Sequence, residues 1–162
     1  MKYRIETFPS FTLDGFAHHI KREKAFQQVP AIWSELWAGG KISDLLGLLR
    51  MADYRPAGII GAVIESRSGA TGEMTYMTAV TNSVATDGVA HITAPEGMEE
   101  VPIPAATWIV IDAGGDLPDA VQNIYKRFYS ECLPGLGYEL EDLPVLECYM
   151  QENRQEVWIA VR

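Results

Sequence analysis

Residues 144–161 read PVLECYMQENRQEVWIAV. Two runs of strand-forming residues flank the polar stretch Gln151–Arg154, which reads as the loop of a hairpin. Side chains alternate across a strand. Val157, Ile159 and Val161 therefore take one face of the last strand, and Glu156, Trp158 and Ala160 the other. The preceding strand divides into Leu146, Cys148 and Met150 against Val145, Glu147 and Tyr149. If the purely apolar sets cover helices, then Glu147, Tyr149, Glu156 and Trp158 share the opposite face. A loop of four residues, 151–154, would set Glu147 across from Trp158 and Tyr149 across from Glu156, with Cβ atoms about 4.5–5.5 Å apart. Carboxylates interleaved with rings suit a flat cationic or electron-poor ligand. The rings supply stacking area and a negative quadrupole, and the acids supply a counter-charge that strengthens as water is excluded.

The same grammar extends through the chain. In the strand ATWIVID (residues 106–112), Ile109 and Ile111 suit the helix side and Trp108 the mixed face. GIIGAVIE (58–65) and EMTYMTAV (73–80) flank SRSGATG (66–72), a strong hairpin signal. Alternation puts Met77 on the mixed face with Thr75 and Ala79, and Tyr76 on the helix side. A bulge would exchange Tyr76 and Met77. Tyr3–His19 is strand-like with a break near Asp14-Gly15, and residues 81–100 are loop-rich with room for a short strand. A helix is expected over VPAIWSELWAGG (29–40) with Pro30 in its first turn, another over Ser43–Arg50, and an amphipathic one over residues 118–131 with Asp116 as N-cap. Trp33, Trp37, Tyr125 and Tyr129 recur at four-residue spacing and read as core, with room for one ring at a cleft floor. IWSELW (32–37) aligns with IYKRFY (124–129), and MTAV ending at 80 aligns with WIAV ending at 161. The expectation is one domain over 1–162 built from two pseudo-repeats, about 1–85 and 98–162, each strand–helix–strand–strand.

Composition narrows the function. The 162 residues suffice for one sound core, and 48% of them are apolar, ordinary for a globular chain. Lys and Arg number 13 against 22 Asp and Glu, a net charge of −9. Such a field repels phosphate backbones, so nucleic-acid binding is disfavoured, whereas cationic ligands fit it. Cys132 and Cys148 follow no disulfide or metal spacing and read as buried thiols of a reducing compartment. With neither a signal-peptide core nor a membrane-length apolar run, a cytoplasmic location is expected.

Ordered along the chain, YRIE (3–6), AIWSELW (31–37), VPIPAATWIVIDAGG (101–115), LPGLGYEL (133–140), LPVLECY (143–149) and EVWIAV (156–161) resemble the GyrI-like small-molecule-binding domain, the effector-binding domain of AraC-type and MerR-type transcription regulators. The resemblance implies an α+β fold, a duplicated βαββ unit with a curved antiparallel sheet, helices on one face and a ligand cleft on the other. It implies aromatic or cationic ligands, acidic contacts from Glu147 and Glu156, and aromatic contacts from Tyr149, Trp158 and Trp108. The residues carry no helix-turn-helix, so the expected role is a standalone binding domain acting in sensing or sequestration. Met77 completes the expected ligand-binding set.

Two other readings remain open. Some relatives of the family hydrolyse cyclopropane-bearing, DNA-alkylating natural products, and Glu147, Glu156 and Tyr149 could activate water or protonate a leaving group in such a cleft. The domain could also act as an interaction module for a separate regulator or a topoisomerase. AGGDLP (113–118) lacks the residues of a Walker or dinucleotide loop and reads as a turn. His18, His19 and His91 lack metal spacing, so neither metal nor cofactor is expected.

Overall fold

The structure, a computed structural model, describes residues 1–51, 54–65, 72–84, 94–114 and 119–162. In chain order the elements are β1 (Tyr3–Phe8), β2 (Phe11–Lys21), α1 (Ala25–Ala38), α2 (Lys41–Met51), β3 (Ile59–Ile64), β4 (Glu73–Val84), β5 (Glu99–Ile103), β6 (Ala106–Asp112), α3 (Asp119–Arg127), a π-helical turn Phe128–Cys132, α4 (Leu133–Leu136), β7 (Val145–Tyr149) and β8 (Gln155–Val161). The expected hairpin loop at 66–71, the Asp116 cap and His91 lie outside the described residues.

Several boundaries moved for identifiable reasons. The break in the first strand region falls at Pro9-Ser10, and β2 runs unbroken through Asp14-Gly15, with its irregularity between Thr12 and Leu13. Pro30 sits inside α1 rather than in its first turn. Ala25 through Gln28 carry no breaker, so the helix begins a full turn earlier than Pro30 alone suggested. Of residues 81–100, residues 81–84 complete β4 and residues 99–100 begin β5, and the rest of the room left for a short strand, residues 85–93, lies outside the described residues.

The strands form one antiparallel sheet in the order β1-β6-β8-β7-β3-β4-β2-β5. Within it, β6-β8-β7 repeats the pairing pattern of β2-β4-β3, and β7 against β3 joins the two sets. Connection lengths dictate the curvature. β1 and β2 stand first and seventh in the sheet, yet only Pro9 and Ser10 connect them. A flat sheet would separate those strands by about 29 Å, while three Cα steps reach at most about 11 Å. β5 and β6, eighth and second, are likewise joined by only Pro104 and Ala105. The sheet must therefore curl until its ends approach, which gives it a barrel-like interior.

Interior and exterior carry separate cores. Phe11, Leu13, Met77, Trp108, Leu146, Cys148 and Trp158 pack inside the curl. Outside, α1 and α2 cover Phe16, Ile20, Met74, Tyr76 and Val80. The second helical group, α3 with the turns that follow it, covers Ile109, Ile111, Val157, Ile159 and Val161. The apolar faces of β6 and β8 thus meet helices as the alternation predicted. β7 does not follow. Leu146 and Cys148 point into the barrel, while Val145 and Tyr149 lie on the helix side.

The hairpin explains this reversal. Glu152 and Asn153 adopt left-handed φ of 63° and 54°, and the Arg154 N–H donates to the Gln151 carbonyl at 3.3 Å. The next rung is Met150 N–H to the Arg154 carbonyl at 2.8 Å, so pairing slips by one residue between turn and ladder. Glu147 faces Val157 and Tyr149 faces Gln155, not the expected Trp158 and Glu156. A one-residue slip turns every side chain of a strand to the other face. The expected checkerboard is therefore split between the two sides of the sheet.

Candidate functional site

Glu147 stands at the centre of β7, on the helix side, above the seam where β7 meets β3. It is 8% exposed. Three phenols from three elements converge on it. Tyr125 of α3 donates to Oε2 at 2.7 Å. Tyr149, two residues along β7, donates to Oε1 at 3.2 Å, and Tyr76 of β4 approaches the same oxygen at 3.4 Å. The Tyr76 hydroxyl in turn accepts the indole N–H of Trp33, from α1, at 3.0 Å. Gly61, directly opposite Glu147 on β3, makes this convergence possible. A Cβ there would collide with the Tyr76 hydroxyl.

Burial pushes the Glu147 carboxyl above the ordinary carboxylate range, against the opposing pull of the three phenolic hydrogen bonds. Burial, followed by the neighbouring Glu147 charge, pushes all three tyrosines upward as well. They therefore remain protonated donors. Among the described residues no Lys, Arg or His forms an ion pair with Glu147. The result is a buried acid satisfied in hydrogen bonds but not in charge.

Glu147 and Tyr149 form the floor of a cavity of about 550 Å³. One wall is α1, through Val29, Pro30, Trp33 and Trp37, and the facing wall is α3, through Val121, Gln122 and Tyr125. Trp33 meets Tyr149 edge to face, with centroids 5.5 Å apart. Phe26 and Trp37, 77% and 60% exposed, stand at the rim. The volume falls in the range of small-molecule pockets, and the lining combines aromatic walls with a few converging polar groups, as such pockets do.

This cavity opens on the helix-bearing side, in the gap between the two helical groups, and not on the face the sequence suggested. Of the six expected ligand-binding residues, Glu147 and Tyr149 line it. Trp108, Trp158 and Met77 are completely buried in the barrel interior, with the two indoles 5.9 Å apart. The curl that closes the sheet fills that face with its own side chains. Glu156 lies nearby, accepting the Trp158 indole N–H at 3.0 Å and an Arg4 N–H at 3.0 Å. The Arg55 guanidinium covers the rings of Trp158 and Phe8, 5.2 and 5.7 Å from their centroids, and donates to Glu6 at 3.0 Å. Acids and aromatics on this face do meet cations, but the cations are the chain's own arginines. Glu147 and Glu156 also point to opposite sides of the β7–β8 pair, so they cannot act together on one substrate.

The site members that the sequence does not single out are Tyr76, Trp33, Trp37 and Tyr125, the last three of which their spacing assigns to the core, with room for one ring at a cleft floor. The internal alignment carried the signal. It superposes Trp33 on Tyr125, and these two rings flank Glu147 from the two helical walls. Tyr129, their fellow in the spacing, lies outside the cavity. Among the described residues no cluster of three His, Cys, Asp or Glu could hold a metal ion, and no helix is long and apolar enough to cross a membrane.

A curled antiparallel sheet with two outer helical groups, and an anionic, aromatic cavity between them, defines the class: an α+β small-molecule-binding domain. The family model described as the GyrI-like small molecule binding domain matches residues 1–162, and the chain belongs to that family. No curated protein matches the sequence. Among solved structures, SAV2435 bound to tetraphenylphosphonium superposes with a TM-score of 0.78 at 23% identity, covering 100% of this chain and 94% of that one. A crystal structure from Staphylococcus aureus MU50 gives 0.76 at 22% identity, with 100% and 99% coverage. The EcmrR chain of an EcmrR–DNA complex gives 0.56 at 13% identity, covering 99% of this chain and 57% of that one. At these identities the likeness shows a common fold.

Proposed function

We propose that the cavity between α1 and α3 captures bulky aromatic or lipophilic cations, in the service of sensing or sequestration. The observation that carries this reading is the buried carboxyl at the cavity floor. Glu147 is buried, is held by three phenols and has no cationic partner among the described residues. A ligand that brings the missing positive charge relieves that imbalance, and it does so in a low-dielectric setting where the attraction is strong. The walls add ring faces at about 0.5–2 kcal/mol per cation–π contact. The tetraphenylphosphonium bound by the structural neighbour SAV2435 supports the same chemistry.

The hydrogen-bond inventory sharpens the ligand class. A carboxylate offers about four acceptor sites, and phenols already take three. A primary ammonium entering the cavity would leave donors unsatisfied. A quaternary, phosphonium or delocalised aromatic cation has none to satisfy. Calorimetric titration with tetraphenylphosphonium, neutral triphenylphosphine oxide and a primary arylalkylammonium tests the reading. The expected affinity order places the permanent cation first. Equal affinity for the cation and the neutral oxide would overturn the proposal.

A further inference from the structure

We propose that Trp33 is the positioning residue of the charge centre: its indole N–H occupies the Tyr76 oxygen and thereby turns the Tyr76 proton onto Glu147. The direction of this chain follows from chemistry. An indole nitrogen can only donate, so across the 3.0 Å contact the Tyr76 oxygen must be the acceptor. The phenol then has a single proton to place. Tyr76 is 1% exposed and cannot send it to bulk water. The acceptor within reach is Glu147 Oε1, at 3.4 Å.

Trp33 touches the second donor on that oxygen as well. Its ring stands at 86° to that of Tyr149, whose hydroxyl lies 3.2 Å from Oε1. Oε1 is thus controlled from α1 through Trp33, and Oε2 from α3 through Tyr125. The groups facing Glu147 are Tyr76 from β4, Tyr149 from β7, Tyr125 from α3 and Trp33 from α1, opposite Gly61 of β3 and Val157 of β8. None of them is cationic. With no counter-ion among the described residues, the ionised form depends on these donors, so losing the indole N–H disfavours it and moves the titration of Glu147 to higher pH.

This inference rests on the proposed cation site only for its consequence in affinity, and the two can fail separately. The test compares the wild type with W33F, which keeps a ring against Tyr149 but removes the donor. Carboxyl-carbon NMR on glutamate-labelled protein follows the Glu147 titration without ligand, with E147Q assigning the signal, and calorimetry follows tetraphenylphosphonium across pH. In W33F the Glu147 midpoint should rise. Tetraphenylphosphonium should bind about three- to tenfold more weakly near neutrality, with the gap closing as pH increases. An unchanged midpoint overturns the proposal even if affinity drops, because lost ring contact alone would explain that drop. A raised midpoint in a protein that binds no cation sustains the Trp33 role and overturns the proposed function. Y76F removes the relay while leaving Trp33 in place, and must raise the midpoint too. If W33F does not fold, an unshifted midpoint in Y76F is itself disproof.

Discussion

Replacing Glu147 with Gln keeps the shape of the side chain and deletes its charge. A bulky cation holds its charge centre about 5 Å from the carboxylate, because its substituents intervene. At that distance and an effective dielectric near 20, the Coulomb attraction is about 3 kcal/mol. Water reaching the cavity mouth screens part of this attraction. The expected net loss is about 2–3 kcal/mol, or roughly 30- to 150-fold in affinity for tetraphenylphosphonium. Triphenylphosphine oxide feels no such attraction and should change by less than about threefold. Removing a buried, uncompensated charge should also leave thermal stability unchanged or slightly raised. Isothermal calorimetry on both ligands, with a melting curve as control, measures all three quantities. Equal losses for the cation and the oxide in a stable E147Q protein would refute the electrostatic argument.

The remaining expectations concern neighbours of the site. For a permanent cation, affinity should fall as pH drops through the raised Glu147 midpoint, starting above the usual carboxylate range, and the E147Q protein should show no such fall. The stability sign runs the other way: a raised folded-state midpoint makes the Glu147 contribution fullest below its unfolded value and loses it as pH rises through the folded one, as wild-type minus E147Q melting temperatures will report. G61A should cost about 1–3 kcal/mol in denaturant unfolding and weaken cation binding, because the added methyl collides with the Tyr76 hydroxyl. W158F should lower stability while leaving tetraphenylphosphonium affinity within about twofold, since Trp158 fills the barrel and not the cavity. R55A should lower the melting temperature slightly, by the loss of partly exposed ion-pair and cation–π contacts, again without affecting the cation.

The fold and part of the site can be read from local pattern. Alternation in β6 and β8 correctly assigns Ile109, Ile111, Val157, Ile159 and Val161 to the helices, and the pairing of Glu147 with Tyr149 in one strand marks the cavity floor. The rest depends on contacts that no local pattern encodes. A single hairpin rung, Met150 to Arg154, turns β7 over and separates Glu147 from Trp158. The exchange of β1 and β5 to opposite ends of the sheet closes a face that alternation alone leaves open as a cleft. Arg55 reaches the Trp158–Glu6 cluster from a distant stretch of chain, so acids and rings that read as a ligand site turn out to hold an internal cation. Tyr76 illustrates the same limit: its place on the helix side is legible, but its role depends on the empty space above Gly61.

A crystal structure of the protein with tetraphenylphosphonium tests the central claim most directly. The phosphonium should lie between α1 and α3, its phenyl groups against Trp33 and Tyr125 and its phosphorus within about 6 Å of the Glu147 carboxylate, the usual reach of a cation held by rings and charge. A phosphonium seated at the barrel mouth beside Glu156 and Trp158, or nowhere near Glu147, would contradict the account.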